Sequence, residues 1–198
     1  MSLNSDWLKR RFAEGGAGLG LHEDPLLPEV SALPTPAAVL VGIVERADGL
    51  TLLLTERTAH LHDHPGQVAF PGGRCEEQDG SPVRTALREA QEEIGLEPDY
   101  VEVIGKLPEY RTGTGFIVTP VVAIVQPGFE LKLDEFEVAC VFETPLTFLL
   151  DPANHQRHKV ELRGRPREFY AMPWRGHYIW GVTAGMIVSL YRYLYGQA

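Results

Sequence analysis

The sequence has few cysteines, a deficit of basic residues and no long apolar run. Its two cysteines, Cys75 and Cys140, are too few for a disulfide framework or a zinc site, and they suit reduced thiols. No apolar run approaches the roughly 20 residues that span a bilayer, and no signal segment opens the chain, so we expect a cytoplasmic protein without a membrane partner. The formal net charge of −9 disfavours a nucleic-acid binder, which needs a basic face.

The chain has enough apolar residues to bury a core, because 44% of its residues are hydrophobic. Runs of strands interrupted by helices, without strict alternation, predict an α+β fold with a mixed β-sheet. We expect residues 1–36 to form an N-terminal helix and an extended wrap, and residues 37–198 to form the main domain. The oligomeric state is left open, with a homodimer as one alternative. The expected strands are residues 37–44, 50–55, 101–107, 116–125, 138–142, 160–162 and 168–172, and the expected helices are residues 6–14, 81–94, 145–150 and 182–195.

The clearest helix is the one over residues 81–94. Ser81 can cap its first turn, and Pro82 suits the first helical position. Gly95 stands where a left-handed cap is expected after the last turn. On a wheel of about 100° per residue the apolar side chains of this segment fall on one side, which predicts that this side packs on the sheet.

Three glutamates of this helix, Glu89, Glu92 and Glu93, fall on roughly the opposite side. Like charges this close repel by a few tenths of a kcal/mol per pair on an exposed helix, and a divalent cation would reverse the sign of that interaction. A solvated acidic face is the alternative interpretation. Arg88 lies beside the cluster and can clamp carboxylates by fork-like hydrogen bonds, which favours a binding site. Oxygen ligands of this kind suit magnesium or manganese better than zinc.

Gly73 and residues 88–96, which read Arg-Glu-Ala-Gln-Glu-Glu-Ile-Gly-Leu, resemble the Nudix box. That box reads Gly, five residues, Glu, seven residues, Arg-Glu-apolar-x-Glu-Glu-x-Gly-apolar. The second half matches well. The distance from Gly73 to Arg88 is one residue longer than in the general box, so the isolated Glu position falls on Asp79 or Gly80.

The resemblance implies an α/β/α sandwich with a loop–helix–loop metal site, and a Nudix hydrolase domain over residues 37–198. It implies that Mg²⁺ or Mn²⁺ is held by Glu89, Glu92 and Glu93, which act as metal ligands or as the base. It also implies Gly73 as a carbonyl ligand to the metal. The isolated carboxylate of the box usually has a structural role.

The segment before the box resembles the upstream signature of the coenzyme A pyrophosphatase branch of this family. Residues 53–58 read Leu-Leu-Thr-Glu-Arg-Thr, Gly66 follows, and residues 70–73 read Phe-Pro-Gly-Gly. The branch has Ser or Ala where this chain has Thr58, and a second Arg where it has His62. The longer loop of the box is also typical of this branch.

Substrate contacts are expected from this upstream segment. Arg57, at the end of a predicted strand, is the residue that we expect to bind phosphate, and an ion pair with a nearby carboxylate is the alternative. His62 can contact a phosphate when protonated, more weakly than Arg. The histidines at positions 60, 62 and 64 can also be a plain polar loop. Gly72 is expected to bring bare backbone close to the ligand.

Two further site residues are expected downstream. Arg111 lies in a glycine-rich segment, residues 110–116, that either lines the substrate cleft or simply connects two strands. Glu137 can complete the metal shell or act as the base, and otherwise it is a solvated loop charge. The general base is therefore either Glu89 or Glu137.

The expected activity is metal-dependent hydrolysis of the diphosphate of coenzyme A or its derivatives, giving 4′-phosphopantetheine and adenosine 3′,5′-bisphosphate. The alternative substrates are another nucleoside diphosphate derivative, such as an ADP-sugar, a dinucleotide or a nucleoside triphosphate. A binding module without catalysis is a further alternative, and it predicts lost metal ligands.

Overall fold

A long mixed β-sheet forms the centre of the molecule in the computed structural model, which describes residues 3–15, 22–23, 33–60, 65–162 and 165–196. Within these residues the strands are β1 (His22–Glu23), β2 (Thr35–Arg46), β3 (Gly49–Arg57), β4 (Val68–Ala69), β5 (Gly72–Arg74), β6 (Val101–Lys106), β7 (Tyr110–Arg111), β8 (Phe116–Val125), β9 (Val138–Pro145), β10 (Gln156–Leu162), β11 (Arg165–Trp174) and β12 (His177–Trp180). The helices are α1 (Ser5–Ala13), α2 (Pro82–Ile94), α3 (Leu146–Leu149) and α4 (Gly181–Tyr195), with 3-10 turns at Glu77–Asp79, Pro98–Tyr100 and Pro152–Asn154.

Strand β2 organises the main sheet. One of its edges pairs in parallel with β8 over ten positions, from Thr35 opposite Phe116 to Val44 opposite Val125. Its other edge is divided between two antiparallel partners, β5 beside its first half and β3 beside its last four residues. Beyond these, β9 pairs with β3, and β6 and β7 pair with β8. The predicted mixed sheet is confirmed.

Helices cover both faces of this sheet. Helix α2 packs on one face, where Ala86, Ala90 and Ile94 join the buried residues of β2 and β8. Helix α4 packs on the other face together with α1 and α3. The alternation of strand side chains explains the two cores, since Leu53 lies in the core under α2 and Leu54 in the core under α4. The α/β/α sandwich is confirmed.

A second, three-stranded antiparallel sheet, β10–β11–β12, packs next to α4. Its last two strands are joined by the two residues Arg175 and Gly176, and Trp174 pairs with His177 across this turn. Both turn residues have positive φ, 45° and 91°, as in a type I′ hairpin. None of the described helices combines the length and apolar character needed to cross a lipid bilayer.

Candidate active site

Helix α2 begins and ends where its sequence predicts. The Ser81 hydroxyl accepts a hydrogen bond from the N–H of Arg84 at 3.3 Å, and Pro82 occupies the first helical position. Gly95 follows the helix with a φ of 69°, the left-handed cap conformation. These local signals fix both ends of the helix and so fix the position of the glutamates on its last two turns.

The three glutamates of α2 differ in exposure. The side chain of Glu93 is 8% exposed, that of Glu89 is 17% exposed and that of Glu92 is 59% exposed. The alternative interpretation, a solvated acidic face, therefore does not describe Glu93. That side chain lies against strand β5, and the N–H of Gly72 donates to its Oε2 at 3.2 Å.

Burial dominates the electrostatics of Glu93 and raises the pKa of its carboxyl to about 8. The hydrogen bond from Gly72 and the positive charge of Arg57 lower this pKa, while the carboxylates of Glu89 and Glu137 raise it. Burial also raises the pKa of Glu89, and Glu137 adds to that shift. Three acidic groups on two segments therefore repel one another in a partly desolvated place, which is the setting that a divalent cation stabilises.

The glycine pair of β5 is required by close packing on both of its sides. A Cβ atom at Gly73 would lie 2.4 to 2.6 Å from the carboxylate atoms of Glu89. A Cβ atom at Gly72 would lie 2.4 Å from the carbonyl oxygen of Ala38 on β2. Gly73 thus leaves room for a carboxylate directly against the backbone, and Gly72 lets the strand approach β2.

Arg88 links the glutamates to a buried aspartate. Its guanidinium lies 3.0 Å from Glu89 and 2.9 Å from Glu92, as the predicted clamp requires. It also donates to Asp79 through Nε at 2.9 Å and through Nη2 at 3.0 Å. Asp79 accepts two more hydrogen bonds, from the N–H of Glu76 and from the hydroxyl of Thr85.

Asp79, 5% exposed, is therefore the acidic residue that supports the loop of the box. The Arg88 guanidinium, with the hydrogen bonds from Glu76 and Thr85, holds the pKa of Asp79 well below its usual range. Of the two positions to which the longer loop could assign the isolated carboxylate, the structure places Asp79 in the supporting position. Gly80 instead adopts a left-handed conformation, with a φ of 67°, before the helix.

Glu137 reaches the site from a turn that is held on two sides. The N–H of Asp134 donates to the carbonyl oxygen of Glu93 at 2.9 Å, which attaches the turn to the end of α2. Thr58 holds the other side: its N–H donates to the carbonyl of Glu137 at 3.0 Å, and its hydroxyl donates to the carbonyl of Phe136 at 2.7 Å. Glu137 therefore lies close enough to the helix glutamates to raise the pKa of Glu89 and of Glu93.

The predicted substrate residues are placed differently from one another. Arg57 lies at the end of β3 with Nη1 4.0 Å from Oε1 of Glu93, so it sits beside the carboxylates. The N–H of Gly72 is directed at Glu93. Arg111 lies on β7 at the same end of the sheet, but β8 and β2 separate it from β5, a distance of roughly 14 Å at ordinary strand spacing. His62 lies outside the described residues.

Two features of the site were missed by sequence reasoning. The Thr58 hydroxyl holds the turn that carries Glu137. The signal in the sequence was that Thr58 stands where the coenzyme A branch has Ser or Ala. Phe136 is 65% exposed beside Glu137, with its ring 4.9 Å from the ring of His60. The sequence shows the aromatic residue next to Glu137, but its exposure emerges only from the structure.

The donor set fits a hard divalent cation, because Glu89, Glu93 and Glu137 offer only carboxylate oxygens. Glu92 is the outermost of the helix glutamates and is held by Arg88. Among the described residues, no set of three of these glutamates has one carboxylate oxygen from each residue within 4.8 Å of the other two. The chemistry of the donors, and the space that Gly73 leaves for the Glu89 carboxylate, fit a site for a divalent cation.

The sequence profile of the NUDIX domain matches residues 34–161. The chain belongs to the Nudix family and is a Nudix hydrolase. A protein of Escherichia coli (strain K12) named Uncharacterized Nudix hydrolase NudL is 44% identical over 154 residues, which cover 78% of this chain and 80% of that protein. A protein of the same name from Citrobacter koseri is 47% identical over 155 residues, which again cover 78% and 80% of the two chains.

Among solved structures, a MutT/nudix family protein from Enterococcus faecalis matches with a TM-score of 0.50 and 17% identity, over 96% of this chain and 73% of that chain. At this identity the likeness concerns the fold alone. Nudix hydrolases generally use divalent metal ions, in agreement with the acidic site described above. The three glutamates of the α2 motif are all present in this chain. This presence argues against a binding module that has lost its metal ligands.

Proposed function

We propose that this Nudix hydrolase cleaves the diphosphate of coenzyme A, or of its derivatives, with Mg²⁺ or Mn²⁺ as the cofactor. The products are 4′-phosphopantetheine and adenosine 3′,5′-bisphosphate. The hydrolytic part rests on one observation: the buried Glu93 carboxylate lies between the N–H of Gly72 and the guanidinium of Arg57, with Glu89 and Glu137 close enough to raise its pKa. The choice of coenzyme A is supported by the likeness of residues 53–73 to the signature of that branch.

The cation, when bound, neutralises charge on the diphosphate and lowers the pKa of an attacking water. Glu89, Glu92, Glu93 and the carbonyl of Gly73 are the groups proposed to hold it. Arg57 is 27% exposed and lies beside Glu93, so it can turn its remaining donors to a phosphate oxygen. Positive charge at this point offsets the repulsion between a polyanionic substrate and the carboxylates.

We assign the proton acceptor to Glu137. Glu89 already faces Arg88 at 3.0 Å and packs against Gly73, an arrangement that orients it as a ligand. Within the described part of the chain, the side chain of Glu137 has no hydrogen bond or ion pair, and its backbone is fixed by Thr58. A carboxylate that is positioned through its backbone and has a free side chain suits proton transfer.

The test is a substrate panel containing coenzyme A, acetyl-coenzyme A, ADP-ribose, NADH, a dinucleoside tetraphosphate and nucleoside triphosphates. Each is assayed with Mg²⁺ and with Mn²⁺, and the products are identified by mass. We expect the highest kcat/KM for coenzyme A or its thioester. A higher kcat/KM for ADP-ribose, NADH, the dinucleotide or a triphosphate would show that the substrate belongs to the alternative class. The sequence argument for that class is that His62 stands where the coenzyme A branch has Arg.

The matched variants for this panel are Glu93→Gln and Glu137→Gln, with Glu97→Gln as the control because Glu97 is exposed just beyond α2. We expect Glu93→Gln and Glu137→Gln each to lower kcat by two orders of magnitude or more, and Glu97→Gln to leave it unchanged. Wild-type turnover in a folded Glu93→Gln variant would reject this site.

A further inference from the structure

A histidine, a cysteine and a glutamate meet on the face of the main sheet opposite the α2 glutamates. Glu56, Cys140 and His177 each present one potential ligand atom, and these three atoms all lie within 4.8 Å of one another. Among the described residues they form the only such group of three. The cysteine count alone argued against a zinc site, but one thiol with an imidazole and a carboxylate is a complete set of three zinc ligands.

Three different strands supply these residues. Glu56 on β3 and Cys140 on β9 are direct partners in the sheet register, which holds their side chains side by side. His177 is the first residue of β12, in the smaller sheet. The two-residue turn at Arg175 and Gly176 ends immediately before His177, so this turn sets where the imidazole meets the main sheet.

The imidazole is already oriented. The His177 ring stacks on the ring of Phe142, with centroids 3.7 Å apart and planes at 4°. Its Nδ1 lies 2.9 Å from Oε2 of Glu56. The His177 and Glu56 side chains are 26% and 33% exposed, and Cys140 is also half-buried, so an ion can enter from solvent. His177 and Phe142 also line a cavity of about 350 Å³ that gives such an access route.

The distances suit a transition metal. A tetrahedral zinc ion separates its N and O ligands by about 3.3 Å and its S and O ligands by about 3.5 Å, from bond lengths of roughly 2.0 to 2.3 Å. Here Nδ1 of His177 is 2.9 Å from Oε2 of Glu56, and Sγ of Cys140 is 4.0 Å from the same oxygen. The differences of about half an ångström lie within the reach of small side-chain rotations around a bound ion.

This group is separate from the α2 site. Leu54 and Phe142 belong to the core on the α4 face, and Glu56, two residues after Leu54, points to that same face. Arg57 points to the other face, where its guanidinium is 4.0 Å from Glu93. The ligand types also differ, because a thiolate and an imidazole bind zinc far better than magnesium.

We propose that Glu56, Cys140 and His177 form a second metal site, which takes Zn²⁺ or a similar borderline transition ion and leaves a fourth position for water. The ion would connect β3 and β9 of the main sheet to the hairpin of the smaller sheet. Binding requires the thiolate of Cys140 and a neutral His177 ring, so protons are released when the ion enters. The alternative is that Glu56 and His177 form only an ion pair, with Cys140 as a bystander.

Equilibrium dialysis of the full chain against Zn²⁺, in excess Mg²⁺ to fill the oxygen site, tests the proposal. We expect about one zinc ion per chain in the wild type, and at least a tenfold loss of zinc affinity in Cys140→Ser and in His177→Gln. The controls Cys75→Ser and His158→Gln, and the α2 variant Glu93→Gln, should keep wild-type zinc binding. No zinc on the wild type, or full binding by Cys140→Ser, would overturn the proposal.

Wild-type protein alone provides a second test that does not depend on the folding of variants. Co²⁺ should give the intense near-ultraviolet charge-transfer band of a cobalt–thiolate bond. Zn²⁺ should slow alkylation of Cys140 by iodoacetamide at least tenfold, as located by peptide mass, while Cys75 reacts at its original rate. A cobalt spectrum without a thiolate band, or equal alkylation of Cys140 with and without zinc, would reject the site.

Discussion

The carboxylate of Asp79 and the guanidinium of Arg88 face each other through two hydrogen bonds, Oδ1 to Nε at 2.9 Å and Oδ2 to Nη2 at 3.0 Å. The same guanidinium contacts Glu89 and Glu92. A single arginine therefore connects the loop that precedes α2 to the glutamates on α2. The arrangement of these glutamates consequently depends on Asp79, which lies ten positions before Glu89.

Asp79→Asn should lower the melting temperature by several degrees and reduce hydrolysis, because an amide cannot accept all four hydrogen bonds and Arg88 loses its buried counter-charge, keeping only Glu89 and Glu92. The pKa of Asp79 is lowered in the folded state, so its stabilisation is present above the unfolded-state pKa, near 4, and is lost as the pH falls towards the folded-state value. The difference in melting temperature between variant and wild type should therefore shrink in acid. Asp99→Asn, at an exposed position, is the control.

Gly73→Ala and Gly72→Ala should fail in different ways. The added methyl group at Gly73 meets the Glu89 carboxylate, which can rotate away, so the variant should fold but need at least tenfold more Mg²⁺ for half-maximal activity. The methyl group at Gly72 meets the backbone of β2, which cannot shift without disturbing its pairing in the sheet, so this variant should lose thermal stability. Equal magnesium requirements for Gly73→Ala and wild type would show that Glu89 does not bind the metal.

Removal of divalent cations with EDTA should make stability fall as the pH rises. The pKa of Glu93 is about 8 in the folded protein and near 4.5 when it is exposed, so the unfolded chain releases this proton first, and the folded state loses stability between about pH 4.5 and 8. We expect the melting temperature to decrease over this window in wild type and to change much less in Glu93→Gln. Added Mg²⁺ should restore the wild-type value at pH 8. A flat profile in stripped wild-type protein would contradict the assignment of Glu93.

Thr58→Val should lower kcat by about tenfold with little change in KM, because the hydroxyl that holds the carbonyl of Phe136 at 2.7 Å is lost and the turn that carries Glu137 loosens. Thr58→Ser keeps the hydroxyl and should restore the rate. A purely structural role of Thr58 would instead lower the melting temperature of Thr58→Val without this split between kcat and KM. Steady-state kinetics on both variants distinguishes the two roles.

Capping residues and apolar runs in the sequence predicted the bounds of helix α2 and strand β8. The cap at Ser81, the proline after it and Gly95 bound α2, and a mainly apolar run, interrupted by Thr119 and Pro120, marks β8 with its observed bounds, Phe116–Val125. Strand β2 starts two residues before the expected position because β8 continues beside it. Strand β9 likewise extends to Pro145, so α3 begins one residue later than predicted.

Long-range packing explains what the sequence could not predict. The two-residue strand β4 and the three-residue strand β5 have too little pattern of their own and form because β3 and β2 offer them an edge. Glu93 accepts a hydrogen bond from Gly72 of β5, 21 residues earlier in the chain, and a helical wheel cannot include that contact. The cluster of Glu56, Cys140 and His177 joins residues up to 121 positions apart, so their spacing carries no motif.

The divided edge of β2 has a consequence for how this enzyme can diversify. Gly72 and Gly73 are held by pairing with β2, whereas β3 leaves that edge after Leu52 and pairs further on with β9 and β4. Changes in how β3 pairs with β9 can therefore move Arg57, at the end of β3, while Gly72 and Gly73 keep their register on β2. We expect the position of this arginine to vary among related sequences more freely than that of the glycine pair.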